Sequence, residues 1–147
     1  MDLFQLIRQD HLKARRLFER LAETSGGTQS RPRLFAELKH ELKLHAEVEE
    51  MYFYSALQSH HEAQDLIEEA LEEHSDVKEA LEALDHADKE SDSWTDLLEE
   101  LQEDVEQHVE EEETEIFPLA QKLLDPAQLS TIAGEIEKAK AAQKAAK

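Results

Sequence analysis

Cysteine is absent from all 147 residues, which excludes disulfides, thiol catalysis, thiolate zinc sites and cysteine-held iron–sulfur clusters. Any metal must therefore be held by nitrogen and oxygen. Glycine and proline are scarce, at three each, so little interrupts regular structure and an all-α chain is expected. Basic residues are also few: sixteen Lys and Arg stand against 36 Asp and Glu, a formal net charge of −20. That excess repels nucleic acid and anionic lipid, so neither nucleic acid nor membrane is expected as a partner. No stretch approaches the roughly 20 apolar residues that span a bilayer. Met1 to Asp10 has no basic flank followed by an apolar run, so no secretory signal is expected and the location expected is cytoplasmic. The length suits one domain with its own core.

What is present is helical periodicity. Phe4, Ile7, His11, Ala14, Phe18 and Leu21 recur at steps of three and four, the inward stripe of an amphipathic helix. A polar connection from Thr24 to Ser30 follows, with Ser30 as a cap and Pro32 in the first turn of the next helix. The second stripe reads Leu34, Leu38, Leu42, His45, Glu49 and Tyr52, and it decays at Ser59-His60-His61. The short loop predicts antiparallel packing on the first helix. A third stripe, Ile67, Ala70, His74, Val77, Leu81 and Leu84, fades into the polar run Asp88 to Ser93. The fourth carries Leu97, Leu98, Leu101, Val105, His108, Glu112 and Leu119, with Trp94 near its start and Pro118 placed to bend its last turns. Asp125-Pro126 opens a short C-terminal helix. Its Ala- and Lys-rich end, Lys138 to Lys147, is expected to fray. A four-helix bundle over 1–124 and a helical tail over 125–147 are the domains expected.

One offset relates the two halves. Adding 63 takes His11 to His74, His45 to His108 and Glu49 to Glu112. The same offset pairs Phe4 with Ile67, Ile7 with Ala70, Ala14 with Val77, Phe18 with Leu81, Leu21 with Leu84, Leu34 with Leu97 and Leu38 with Leu101. Two helical hairpins with a common plan are implied, each turning two histidines and one glutamate into a shared core. Ionised carboxylates in a dry core cost several kcal/mol apiece unless compensated. Metal ions remove that conflict, and imidazole with carboxylate suits iron, manganese or zinc. The arrangement reads as a dinuclear centre, with His11 and His45 on one metal, His74 and His108 on the other, and Glu49 and Glu112 across both.

The segments Asp10-His11 through Arg16-Leu17-Phe18, Leu42 to Glu50, Glu73 to Lys78, and His108 to Glu112 with Ile116-Phe117-Pro118 closely resemble the hemerythrin-like cation-binding (HHE) domains. The resemblance covers the four bundle helices. It implies an antiparallel up-down four-helix bundle with an oxo- or hydroxo-bridged non-haem di-iron centre, its metal ligands carried onto His11, His45, Glu49, His74, His108 and Glu112. Two departures set the chain apart from the oxygen-carrying hemerythrins. Lys78 stands where those carriers have a further histidine, and the last ligand pair is His108 and Glu112 rather than a histidine followed, after four residues, by aspartate. Each ion would then be about five-coordinate with an open position. Tyr52 and its repeat equivalent Glu115 are weak candidates to close one.

Three functions fit. The first is a module that binds dioxygen, nitric oxide or peroxide at the open positions. The second is an enzyme that acts on peroxide or nitric oxide, or an iron donor in stress repair. The third is a metal-stabilised structural or storage bundle. Binding is favoured, since no acid, base or substrate pocket is readable beyond the metal shell. Monomer and homodimer both remain open. His40, His60, His61 and His86 lie off the stripes and are expected at the surface. The acidic run Glu110 to Glu113 is expected to be a solvated face apart from Glu112, and not a Mg or Ca site. Phe4, Phe18, Phe53, Trp94 and Phe117 are expected to serve packing.

Overall fold

The computed structural model describes residues 1–145, helical in its main elements and without a strand among those residues. Helix α1 (Leu3–Ala22) opens with a capping box, in which Gln5 N–H donates to Asp2 Oδ1 at 2.9 Å and Asp2 N–H to Gln5 Oε1 at 3.0 Å. Helix α2 (Ser30–Val48) carries Pro32 in its first turn, but Ser30 is its first helical residue, and Gln29 precedes it without a side-chain cap bond. The chain continues through a π-helical turn, Glu49–Tyr54, into α3 (Ser55–Gln58). A 3-10 turn, His61–Ala63, leads to α4 (Gln64–His86). Helix α5 (Asp92–Glu111), capped by Ser91, runs through a second π-helical turn, Glu112–Ile116, into α6 (Phe117–Leu123).

Both widened turns start at the repeated glutamate, and residues at the offset of 63 help to form them. In the second, Pro118 lacks an N–H and its ring crowds the carbonyl one turn back. In the first, Ser55 occupies the equivalent place, and its hydroxyl donates to the Met51 carbonyl at 2.5 Å, a back-bond that bends helices.

Along α1, along α2 with the π turn after it, along α4, and along α5 with the π turn after it, a polar step separates two apolar blocks. On α1, Ile7 belongs to one block and Ala14 to the other, with His11 between them. His74 likewise parts Ala70 from Leu81; His45 and Glu49 part Leu42 from Phe53; His108 and Glu112 part Leu101 from Ile116. One block gathers Phe4, Phe53, Leu57, Ile67 and Phe117, and the other Phe18, Phe35, Leu38, Leu81 and Trp94. From the loop inward, α2 meets first the loop and then α1: Arg31 with Thr24, Glu41 with Lys13, His45 with Asp10. At the loop end, the buried Arg31 donates to Thr24 and to the Lys89 carbonyl and lies 4.9 Å above the Trp94 ring.

The C-terminal helix is longer than the sequence suggests. Helix α7 (Pro126–Ala145) has twenty residues, and its entry is capped by Asp125 Oδ1, which accepts Gln128 N–H at 2.8 Å. It packs on α1, α2 and the first π turn. Ile132, Ala133 and Ile136 are buried in the first block, and each isoleucine so covered contributes about 1.5–3 kcal/mol. The tail expected to fray is thus helical through Ala145, and its last two positions lie outside the described residues.

Candidate metal centre

All six residues singled out by the repeat meet in the polar layer. Glu49 and Glu112 are fully buried, and the four histidines are nearly so. His11, His45 and Glu112 bring one ligand atom each within 4.8 Å of one another, and Glu49, His74 and His108 do the same. The glutamates do not stay within these groups. Glu49 Oε1 lies 2.9 Å from His45 Nε2 and 3.3 Å from His74 Nε2. Glu112 places Oε1 3.0 Å from His11 Nε2 and Oε2 3.8 Å from His108 Nε2. Each carboxylate therefore faces one histidine from each half.

The outward ring nitrogen of each imidazole is taken up by a carboxylate. His11 Nδ1 meets Glu113 at 2.7 Å, His45 Nδ1 meets Asp10 at 2.8 Å, His74 Nδ1 meets Glu50 at 2.8 Å, and His108 Nδ1 meets Glu73 at 2.7 Å. A carboxylate can only accept, so once a ring is neutral, as a cation requires, its proton sits on Nδ1 and its Nε2 lone pair turns inward. These four outer carboxylates keep the offset of 63: Asp10 becomes Glu73 and Glu50 becomes Glu113. Glu113 is thus not part of a merely solvated face. Each outer carboxylate adjoins a ligand candidate in the chain, and testing the repeat on polar positions would have found all four.

Tyrosine is the second difference. Tyr52 is half-buried against the apolar block and Glu115 is exposed, so neither enters the layer. Tyr54 does. Its hydroxyl donates to Glu112 Oε2 and lies 3.4 Å from both Glu49 Oε1 and His108 Nε2. An α-helical period from Glu49 selects Tyr52, whereas the wider π turn brings the fifth residue onward to the same face. At the offset of 63, Tyr54 becomes Phe117, so one half offers a phenol where the other offers a plain ring. His40, His60, His61 and His86 stay outside the layer.

Burial and charge shape the protonation of these groups. Burial would lower His11, His45 and His74, but the facing carboxylates prevail and raise all three, His74 to about 9. Burial would raise Glu49, yet the charge of His45 holds it well below the usual carboxylate range. Glu112 is raised, by burial and then by Glu49 beside it. Burial, with Glu112 next, pushes the Tyr54 phenol well up, so it stays a proton donor.

The donor set fits a cation. Among the described residues, two buried atoms, His45 Nε2 and Glu49 Oε2, have no hydrogen-bond partner; the 2.9 Å approach of His45 to Glu49 Oε1 is close enough for an ion pair but misaligned for a hydrogen bond. Four inward imidazole Nε2 atoms, two carboxylates and no thiolate suit iron, manganese or zinc. Against the imidazoles opens a cavity of about 40 Å³, lined on its apolar side by Ala14, Leu42, Ala46, Val77, Leu81, Val105 and Val109. It has room for a diatomic molecule or a few waters.

The model of the hemerythrin HHE cation-binding domain family matches residues 2–120, most of the chain. The chain belongs to this family. HHE domains bind cations, and the layer of histidines and glutamates is where this one can do so. A solved HHE cation-binding domain-containing protein from Mycobacterium kansasii superposes with a TM-score of 0.83 over 97% of this chain and 89% of that one, at 24% identity, which shows a shared fold. A protein named DNA nickase, from a Nostoc species, is 29% identical over 140 residues. That match takes in 95% of this HHE chain and 39% of the relative, so the chain spans well under half the relative's length. Helix α7 lies beyond the matched family residues. No helix among the described residues is long and apolar enough to cross a membrane.

Proposed function

We propose that this HHE domain is a dinuclear iron protein that binds dioxygen, nitric oxide or peroxide. His11 and His45 would hold one ion and His74 and His108 the other, while Glu49 and Glu112 would span both. One observation carries the reading: four imidazoles, each pinned through Nδ1 by its own carboxylate, aim Nε2 at one buried volume that also holds two glutamates. The alternating order of the apolar blocks along successive helices supports an antiparallel up-down four-helix bundle over 1–124, with 125–147 as an appended helix. A bound iron pair would supply open coordination positions and redox equivalents.

The chain's own residues do the rest. The outer carboxylates fix ring orientation and strengthen each imidazole as a donor. The apolar wall of the cavity admits small neutral molecules and keeps bulk water away from the layer. Tyr54 favours a second reading, an enzyme acting on peroxide or nitric oxide, because its hydroxyl places a transferable proton on Glu112 Oε2 inside the layer. The DNA-directed activity named for the Nostoc relative is not proposed here, since a net charge of −20 opposes a polyanion. A cytoplasmic location remains our expectation.

Metal analysis of protein purified without added metal, together with its absorption spectrum, tests the proposal. About two irons per chain with charge-transfer bands are expected. A single zinc, or none, would overturn it in favour of a structural bundle. Absorbance that changes reversibly as oxygen is added and removed supports the binding module, and sustained peroxide turnover supports the enzyme.

A further inference from the structure

The outer carboxylates repeat faithfully, but the charges behind them do not. On the His11 and His45 side, Glu113 Oε1 lies 3.4 Å from Arg8 Nε. Asp10 Oδ2, the same atom that accepts His45 Nδ1–H, also accepts the ammonium of Lys140 from α7. Two carboxylates there face two cations. On the His74 and His108 side, Glu50 Oε2 has the Lys78 ammonium 3.9 Å away. Glu73 instead meets Glu69 and Glu111, one carboxylate oxygen of each lying within 4.8 Å of the others. Four carboxyl groups there face one ammonium. At the offset of 63, Arg8 becomes Leu71 and Glu111 answers to Val48, while Lys140 comes from the helix beyond the repeated halves.

A carboxylate oxygen shared with an ammonium accepts less strongly from its imidazole, leaving that imidazole a poorer donor, and the ammonium repels a nearby metal cation directly. Glu73, with Glu69 and Glu111 rather than an ammonium beside it, escapes that repulsion, and the Glu69 carboxylate attracts a nearby metal cation. Resting on the two-ion reading above, we propose that the positions fill in order: the ion on His74 and His108 binds first and tighter, and Lys140 is a positioning residue that sets how far behind the second one falls. The helix outside the matched family domain is then part of the metal centre. Its buried Ile132 and Ile136 seat it, and Lys140, one turn past Ile136, delivers the charge.

Anaerobic titration of the chelator-treated full chain with ferrous ion, followed by calorimetry, tests this. Wild type should bind two ions in steps about tenfold apart in affinity. His108→Ala should remove the tight step, and His45→Ala the weak one. Lys140→Met should tighten the weak step severalfold and narrow the gap, Lys140→Arg should preserve it, and Glu69→Gln, at an exposed position, should weaken the tight step alone. Two indistinguishable steps in wild type, or a gap untouched by Lys140→Met, would overturn the ordered filling and leave the two-ion reading intact. Weakening of the second step by the Met and Arg variants alike would assign Lys140 to packing of α7 and also overturn it. Saturation at one ion or none would overturn the two-ion reading itself.

Discussion

Placed at the offset of 63, the two halves of the chain agree inside the polar layer and differ around it. The inward histidines and glutamates, the carboxylates behind the histidines and the widened turns all have counterparts. Tyr54 against Phe117, Val48 against Glu111, and α7 packed on α1 and α2 do not. Donor positions must satisfy one geometry from both sides, so a change in either half disturbs a common volume. Residues one layer further out act through charge and hydrogen bonding, which vary gradually, and there the halves are free to diverge. Geometry is duplicated here, and electrostatics is individual.

The most damaging way to break the comparison is at the glutamates. Glu49→Gln and Glu112→Gln should each weaken both ions together, so that the two variants titrate alike with ferrous ion under anaerobic conditions. An intact one-ion site in either variant would mean that each half binds separately.

Acidity gives a smaller effect, and it sharpens the match between His11 and His74. Both are raised above 6.5, His74 to about 9. In chelated protein, a raised imidazole contributes stability that is fully present below pH 6.5 and is lost as pH climbs through its folded value. A cation needs the neutral ring, so its affinity rises over the same window, with proton release on binding. The melting-temperature gap between loaded and chelated protein should therefore widen from pH 6.5 to 9. A gap that is constant or shrinks would contradict the assignment of these imidazoles as ligands.

The mildest change removes the asymmetry at the aromatic pair. Tyr54→Phe makes it match Phe117 and deprives the buried Glu112 of a donor, at a cost of about 1–3 kcal/mol to the chelated protein in urea unfolding. Both ions should still bind, because six other donors remain. Loss of an ion would make the phenol a ligand and the two halves unequal in donor count.

The ligand candidates were legible in the sequence because the repeat ties together positions that a helical sequence with eight histidines would otherwise scatter. The outer carboxylates were equally present at the same offset, hidden only by an acidic excess that makes any single glutamate unremarkable. Tyr54 could not be found by counting at an α-helical period, since the π turn changes the count where it matters. Pro118 signalled one of the two widened turns; Ser55 gave no comparable signal. For α7, Leu129, Ile132, Ile136 and Lys140 do follow steps of three and four, yet the Ala- and Lys-rich background leaves that stripe little contrast.

The polar layer also governs how the molecule comes apart. Because it cuts across α1, α2, α4 and α5, the apolar interior is two blocks, and the side-chain contacts that join them are imidazole–carboxylate pairs. Local opening follows such seams, so the Trp94 end and the Phe117 end are natural units for separate amide-exchange behaviour. A cation gripped from both halves would lock the seam and make the two units unfold as one. Metal in this chain would then act on cooperativity as well as on chemistry, turning two loosely coupled blocks into a single folding unit.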